Sequence, residues 1–272
     1  MIKKILYKLL DLINRNNLYY ISINKIEKKI LKNEISSSKV NLNIGSGGYN
    51  IEGFIDLDIK SDKYNKERAK SFVEYDIRND ELPYKDNTVD NIYCSHVIEH
   101  IEEKYVSNFF KETCRVLKKN GILRISTPDA KFLWKMMLKG KDYWRTERYE
   151  NWFKSRNYDY INFDEIDFFI REIATAKLRI FSEKNLNYYN QIKDNMHDYD
   201  KVLEILGNNK LDPNNIGYHI TAWDFDKILK LSSNFFSDII ESKFRSSISN
   251  DMRSEAFDRT CPEMSLYVDF RK

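Results

Sequence analysis

The sequence predicts an α/β fold built on a doubly wound, mostly parallel sheet of seven strands. Three observations carry this expectation. From Lys39 onward, short apolar runs alternate with stretches of helical periodicity. The first run, "VNLNIGSGG", ends in a glycine turn, and the next two end at the acids Asp58 and Asp76. A fourth run, "VDNIYCSH", opens into the pentapeptide His96-Val97-Ile98-Glu99-His100, which holds two of the chain's four histidines.

Before the first strand, residues 1–38 read as a helical extension. Ile2, Ile5, Leu6, Leu9, Leu10 and Ile13 recur at helical spacing beside Lys3, Lys4 and Lys8. A basic amphipathic helix on a membrane surface is one reading, as a weak contact. A helix docked on the domain or on a second copy, in a homo-oligomer, is favoured, because apolar helical stripes usually pack on protein. Lys8 and Asp11 interrupt the run and no small-residue cleavage site follows, so no signal peptide is expected.

"GFIDLDI" reads as the second strand and "FVEYDI" as a short third. "EEKYVSNFFKETCRVLKK" is a helix with Val106, Phe109, Phe110, Thr113, Val116 and Leu117 on one face, stopping at Asn120-Gly121. "GILRISTPD" is the fifth strand, halted by Pro128. Residues 130–218 break the rhythm with an aromatic-rich helical insertion. The alternation resumes with "WDFDKILKLSSNFF", a helix with Leu229 and Phe236 toward the sheet, and closes with the strands "SDIIESKF" and "SLYVDFRK". The core is therefore 39–129 with 219–272, and 130–218 is a substrate lid or a dimer interface.

The chain has 272 residues, 42% of them hydrophobic, enough for a substantial core. Its 45 basic and 42 acidic residues leave a net charge of +3 without a long single-sign run, so nucleic acid is not an expected partner. Cys94, Cys114 and Cys261 are odd in number and lack C-x-x-C spacing, which disfavours disulfides and thiolate zinc and suits a reducing cytoplasm. No run approaches the roughly 18 apolar residues of a membrane span.

"NIGSGG" exposes backbone N–H groups without side chains in the way, so a nucleotide-like ligand can approach closely. Asn50 stands where a dinucleotide fingerprint wants a third glycine, and the short path to Phe54 leaves room for only about one helical turn. His96-x-x-Glu99-His100 fits the H-x-x-E-H pattern of inverted zinc peptidases. That reading needs the motif inside an established helix with a further ligand, whereas here it closes a strand.

In these motifs the sequence resembles class I, Rossmann-like methyltransferases that use S-adenosyl-L-methionine, and in particular the bacterial group found with surface-polysaccharide genes. "LNIGSGG", "GFIDLD", "YDIRNDELPYKDNTVDNIYCSHVIEHI", "RVLKKNGILRISTPD", "HITAWDFDKILK" and "SLYV" carry the resemblance, in order and at family-like spacing. It implies a cytoplasmic methyltransferase with a small-molecule or glycan acceptor. The expected reaction is O-methylation of a sugar, nucleotide-sugar or glycan intermediate. Another small molecule, a nucleic acid, or a role as a non-catalytic partner subunit are the alternatives.

The resemblance implies that Gly45, Ser46 and Gly47 line the methionine and ribose side of the cofactor. Asp58 accepts from the ribose hydroxyls, with Asp56 as its competitor, and Asp76 with Ile77 holds the adenine; Ser95 completes the cofactor set. His96, at a strand's carboxyl end, is the first candidate for general base, and Glu99, His100 and His219 are its catalytic neighbours. Enzymes of the same class that hold a divalent ion with a carboxylate and histidines point to His219 as a distant partner of that cluster. A metal is the alternative there and not the expected cofactor. The plainer reading of Glu99 and His100 is stabilisation of a helix N-terminus and packing. In the insertion, Trp134, Trp144 and Trp152 are candidates for stacking on sugar rings, and Arg145, Arg148 and Arg156 for pairing with phosphates or carboxylates. The plainer reading is that such aromatics form the insertion's own core.

Overall fold

Among the described residues, seven strands form one sheet in the order β3-β2-β1-β4-β5-β7-β6. They are β1 (Asn41–Ile44), β2 (Ile55–Asp58), β3 (Val73–Glu74), β4 (Val89–Ser95), β5 (Leu117–Pro128), β6 (Asp238–Ser242) and β7 (Ser265–Arg271). The computed structural model describes residues 39–60, 72–207 and 209–272, of which 40–272 form one compact unit. The proposed N-terminal helix lies outside the described residues. Among those described, no helix is long and apolar enough to cross a membrane.

β1 to β5 pair in parallel, and β7 runs antiparallel between β5 and β6. The strand order reverses between β1 and β4, the switch point at which such sheets open a crevice beyond their carboxyl ends. Both faces of the central strands are covered: Leu42, Ile44, Ile92, Cys94, Leu123 and Ile125 are buried on one face, and Asn43, Asn91, Tyr93, Ile122 and Arg124 on the other.

Helix α1 (Glu103–Val116) buries Val106, Phe109, Phe110, Thr113 and Val116, the face its spacing predicts. It ends at Val116, earlier than Asn120-Gly121 suggests. Leu117 is fully buried and pairs with Val89, so the chain turns extended there, and Asn120, at φ 65, sits within a register shift of β5. The glycine-turn segment from Gly45 to Phe54 contains no helix at all.

After β5 come α2 (Ala130–Leu138), α3 (Glu147–Lys154), α4 (Glu165–Ile173), α5 (Asn185–Asn195) and α6 (Tyr199–Leu206), with one 3₁₀ turn in each of the first two connections and two between α4 and α5. Asp164 starts α4 with a reciprocal capping box to Asp167. These helices bury an apolar cluster of their own that includes Leu133, Trp144, Phe153, Phe168, Ile192 and Val202. The Phe153 and Phe163 rings stack at 4.1 Å. The chain then returns through α7 (Phe225–Ser232). There Ile228 and Ser232 are the buried residues and Leu229 is 38% exposed, correcting the expectation that Leu229 faces the sheet; Phe236 does pack inward. A one-residue change of phase suffices, because the Asp224 cap sets where the helix begins.

β5 carries a fully buried cation. Arg124 pairs with Asp258 (2.6 Å) and with Asp269 (3.0 Å), its antiparallel neighbour on β7, and donates to Ser242 Oγ and the Lys243 carbonyl. It thereby ties β5, β7 and the β6–β7 connection together. Removing one member of such a network strands the other charges in a low dielectric. We expect Arg124→Ala to lower unfolding stability by about 3–5 kcal/mol in urea titration; a loss under about 1 kcal/mol contradicts this role.

Candidate active site

The parallel register decides which residues meet. Ile44 pairs with Leu57 on one side and Cys94 on the other, and Ser95 pairs with Ser126. One residue further along, Gly45, Asp58 and Ser95 stand at the same level at the carboxyl edge of adjacent strands. A cavity of about 660 Å³ opens there, a size typical of small-molecule sites. Gly45, Ser46, Gly47, Asp58, Asp76, Ile77 and Ser95 all line it, as do His96, His100 and His219. Glu99 lies behind this wall.

Gly45 turns at φ +67, and a Cβ there would lie 2.3 Å from Val97. Gly47 turns at φ +56 with open space where a Cβ would stand, so the loop forms a cradle that a side chain would fill. Asp58 anchors this loop: one oxygen accepts the Gly47 N–H (2.7 Å) and the other the Ile59 N–H (2.8 Å). Burial raises its pKa, opposed by those two bonds. Each oxygen keeps a lone pair for a further donor. Asp56, the competitor, is buried and accepts from the side-chain amides of Asn43 (2.7 Å) and Asn50, so it braces the loop from beneath. Asp76 differs from the simple expectation of an acid open to the ligand. Against the cost of burial, bonds from Arg78 hold its carboxyl below the usual range, and the guanidinium touches both oxygens. Ile77 is buried against it as an apolar wall.

The pentapeptide is not the first turn of a helix. Ile98–His100 form one 3₁₀ turn, separate from α1, and His96 adopts φ 53, a left-handed conformation that costs a non-glycine residue of order 1 kcal/mol. Its N–H donates to the Ser126 carbonyl (2.8 Å). The ring lies with Nδ1 2.9 Å from Glu99 Oε1 and Nε2 2.8 Å from Ser265 Oγ. Because a carboxylate only accepts, Nδ1 carries the proton in the neutral ring. The Nδ1 approach is off the line of a good hydrogen bond, so Oε1, although buried, lacks a well-formed one. Oε2 accepts from Thr127 Oγ1 at 3.2 Å.

Glu99 is 1% exposed. Burial opposes its charge, but the rings of His96, His100 and His219 outweigh it and hold the carboxyl down to about 2. Its backbone carbonyl accepts the Ile220 and Thr221 N–H groups (2.8 and 3.2 Å), which brings the return from the insertion onto the site. His219 is held by its own bonds to Thr175 and by Nδ1 against the Glu172 carbonyl. Burial, with His100 beside it, lowers the His219 pKa to about 4. The His100 and His219 rings meet edge to face at 4.9 Å, and His100 Nδ1 faces the Tyr218 carbonyl at 3.0 Å.

Of the insertion's candidates only Arg148 reaches the cavity, bridged to the buried Glu172. Trp144 is fully buried, Trp134 donates to the Met196 carbonyl, and Trp152 packs under Arg156 and Arg171. Sequence reasoning missed Ser265, Thr127, Tyr49 and the 256–261 segment. Tyr49 and Arg259 stack across the glycine loop. Ser265 and the 256–261 segment come from remote stretches that no local pattern marks, whereas Tyr49 directly follows the glycine turn and an aromatic residue there was the available signal.

Residues 53–125 match the family described as methyltransferase domain. None of the curated proteins matches the sequence. Solved structures with similar chains include a methyltransferase from Archaeoglobus fulgidus (13% identity, 92% of this chain and 95% of that one, TM-score 0.43). One from Mesorhizobium loti shows 14% identity over 90% and 97%, TM-score 0.42. One from Thermotoga maritima shows 13% over 90% and 87%, TM-score 0.39. All three are described as dependent on S-adenosylmethionine. The seven-stranded order with antiparallel β7 and the matched segment define a class I methyltransferase domain. The chain is a methyltransferase that uses S-adenosylmethionine.

The cradle at Gly47, the carboxylate at Asp58 and the apolar wall at Ile77 fit that cofactor. Losing a charge-assisted pair of bonds costs about 1.5–3 kcal/mol. We therefore expect Asp58→Ala to weaken S-adenosylmethionine binding roughly 10- to 150-fold by calorimetry; unchanged affinity would remove Asp58 from the ribose site.

Proposed function

We propose that this enzyme methylates a hydroxyl oxygen of a sugar, nucleotide-sugar or glycan intermediate of surface-polysaccharide synthesis. The observation that carries the reading is the His96–Glu99 pair on the cavity wall, an imidazole oriented by a buried carboxylate. S-adenosylmethionine, when bound, supplies an electrophilic methyl group that the acceptor oxygen takes as the carbon–sulfur bond breaks with its electron pair to sulfur.

The chain's residues do the rest. Gly45, Ser46 and Gly47 admit the cofactor's backbone, Asp58 accepts from its diol, and Asp76 with Ile77 and Ser95 holds the remaining edge. Fixing the acceptor against the methyl is the larger part of the task. The hydroxyl proton passes to His96. Glu99 fixes its Nδ1 tautomer and steadies the resulting imidazolium, leaving Nε2 as the basic nitrogen. Ser265 Oγ lies 2.8 Å from both Nε2 and the Cys261 carbonyl, so its single proton serves one or the other. With that proton turned to Cys261, the Nε2 lone pair is free. Arg148 and Arg259 on the cavity wall suit an acceptor that carries phosphate or carboxylate.

In an assay that follows S-adenosylhomocysteine release over a panel of nucleotide sugars and glycan precursors, His96→Ala is expected to lower kcat roughly 10²- to 10⁴-fold. Its affinity for S-adenosylmethionine should stay within about threefold, since the general base contributes to the transition state rather than to cofactor binding. Wild-type kcat in the variant would end the general-base assignment.

A further inference from the structure

We propose that Glu99, His100 and His219 form a site for one divalent first-row transition ion, of the zinc or manganese kind, on the wall of the methyl-transfer cavity. The three side chains offer a carboxylate oxygen and two imidazole nitrogens that all lie within 4.8 Å of one another. Coordination at about 2.0–2.2 Å needs neighbouring donors roughly 3–3.5 Å apart, so contraction by about an ångström or so closes the set.

The hydrogen bonds behind the two rings choose the nitrogens. His100 Nδ1 faces the Tyr218 carbonyl and His219 Nδ1 faces the Glu172 carbonyl. A carbonyl only accepts, so each Nδ1 carries its ring's proton and each Nε2 presents a lone pair. Donation of the far N–H to a backbone carbonyl is how proteins fix the tautomer and orientation of metal-ligating histidines. Among the described residues, neither Nε2 serves the hydrogen-bond network as Nε2 of His96 does.

The third donor carries the charge. Glu99 is a buried anion, and the Arg148 and Arg171 guanidiniums nearby are paired with Glu172 instead. Its Oε1 has no well-formed hydrogen bond. A buried carboxylate with one oxygen within 4.8 Å of two imidazole nitrogens suits a cation better than it suits either the protein or water. Two nitrogens and one oxygen favour a borderline transition ion over magnesium or calcium, which prefer all-oxygen shells.

His100 and His219 line the cavity, so the remaining coordination positions face it. An ion there would hold the acceptor hydroxyl and lower its pKa, easing proton removal by His96. That use of the ion rests on the methyl-transfer reading; its binding does not.

The test is calorimetric titration of chelator-treated, dialysed full-length protein with Zn²⁺, Mn²⁺ or Mg²⁺ alone. One Zn²⁺ or Mn²⁺ per chain is expected, with Mg²⁺ bound at least about 100-fold more weakly. His219→Asn and His100→Asn should each weaken the transition ion roughly 10- to 100-fold or more. His197→Asn, a change to the exposed fourth histidine, should leave it unchanged. Absence of stoichiometric binding by the wild type overturns the site, as does wild-type affinity in both cavity variants. Cobalt-substituted wild type needs no variant to fold: visible bands without thiolate charge transfer support the nitrogen and oxygen donors. Strong thiolate charge transfer would move the ion to cavity-lining Cys261 and overturn the proposal. Titration with S-adenosylmethionine in the same preparations separates a failure of this site from a failure of the cofactor reading.

Discussion

The buried carboxylate of Glu99 is the constraint around which the site is organised. A carboxylate held at 1% exposure needs polar surroundings, and Thr127 with the rings of three histidines from two distant stretches of chain provides them. The same residue's backbone carbonyl receives Ile220 and Thr221, while Thr221 Oγ1 bonds to the Ile101 carbonyl and the Trp223 indole to that of Ile98. One 3₁₀ turn therefore joins the end of β4 to the segment that returns from the insertion. That clamp, with the bonds of His219 to Thr175 and Glu172, sets His219 beside His100.

The sheet supplies the second half of the arrangement. Parallel pairing of β2, β1 and β4 places three loop entrances side by side, and the strand order reverses between β1 and β4. A glycine turn, an acid and a histidine thus meet although they lie far apart in sequence. Asp56 and Asp58 show how finely this is divided. Two residues apart on one strand, the first is consumed by Asn43 and Asn50 in bracing the loop, and the second stands at the cavity edge.

The insertion follows a different logic. Its aromatic residues pack mainly on one another, as the Phe153, Phe163, Phe168 and Trp144 rings do. Its contribution to the cavity is a few residues at its end and Arg148, whose buried partner Glu172 also lends its carbonyl to His219. The insertion thus builds a scaffold that delivers one histidine and one guanidinium to a site belonging mostly to the sheet.

Much of the fold was legible in the chain because it depends on local chemistry. Alternating apolar runs marked all seven strands, and the Gly45–Gly47 turn and the tip position of Asp58 marked the ligand edge, since backbone freedom and strand-end placement are written in residue type. Helix ends were less legible: α1 stops at Val116, because pairing of Leu117 with Val89 outweighs the Asn120-Gly121 stop signal. The state of the side chains was decided only by tertiary structure. Arg78 closing on Asp76, Ser265 on His96, and Glu172 fixing the His219 tautomer each join residues through the folded chain, and His96 takes its left-handed turn under the same constraint. Sequence patterns record what a residue does for its own turn or strand; hydrogen bonds and charge across the cavity depend on which strand ends the register has made neighbours.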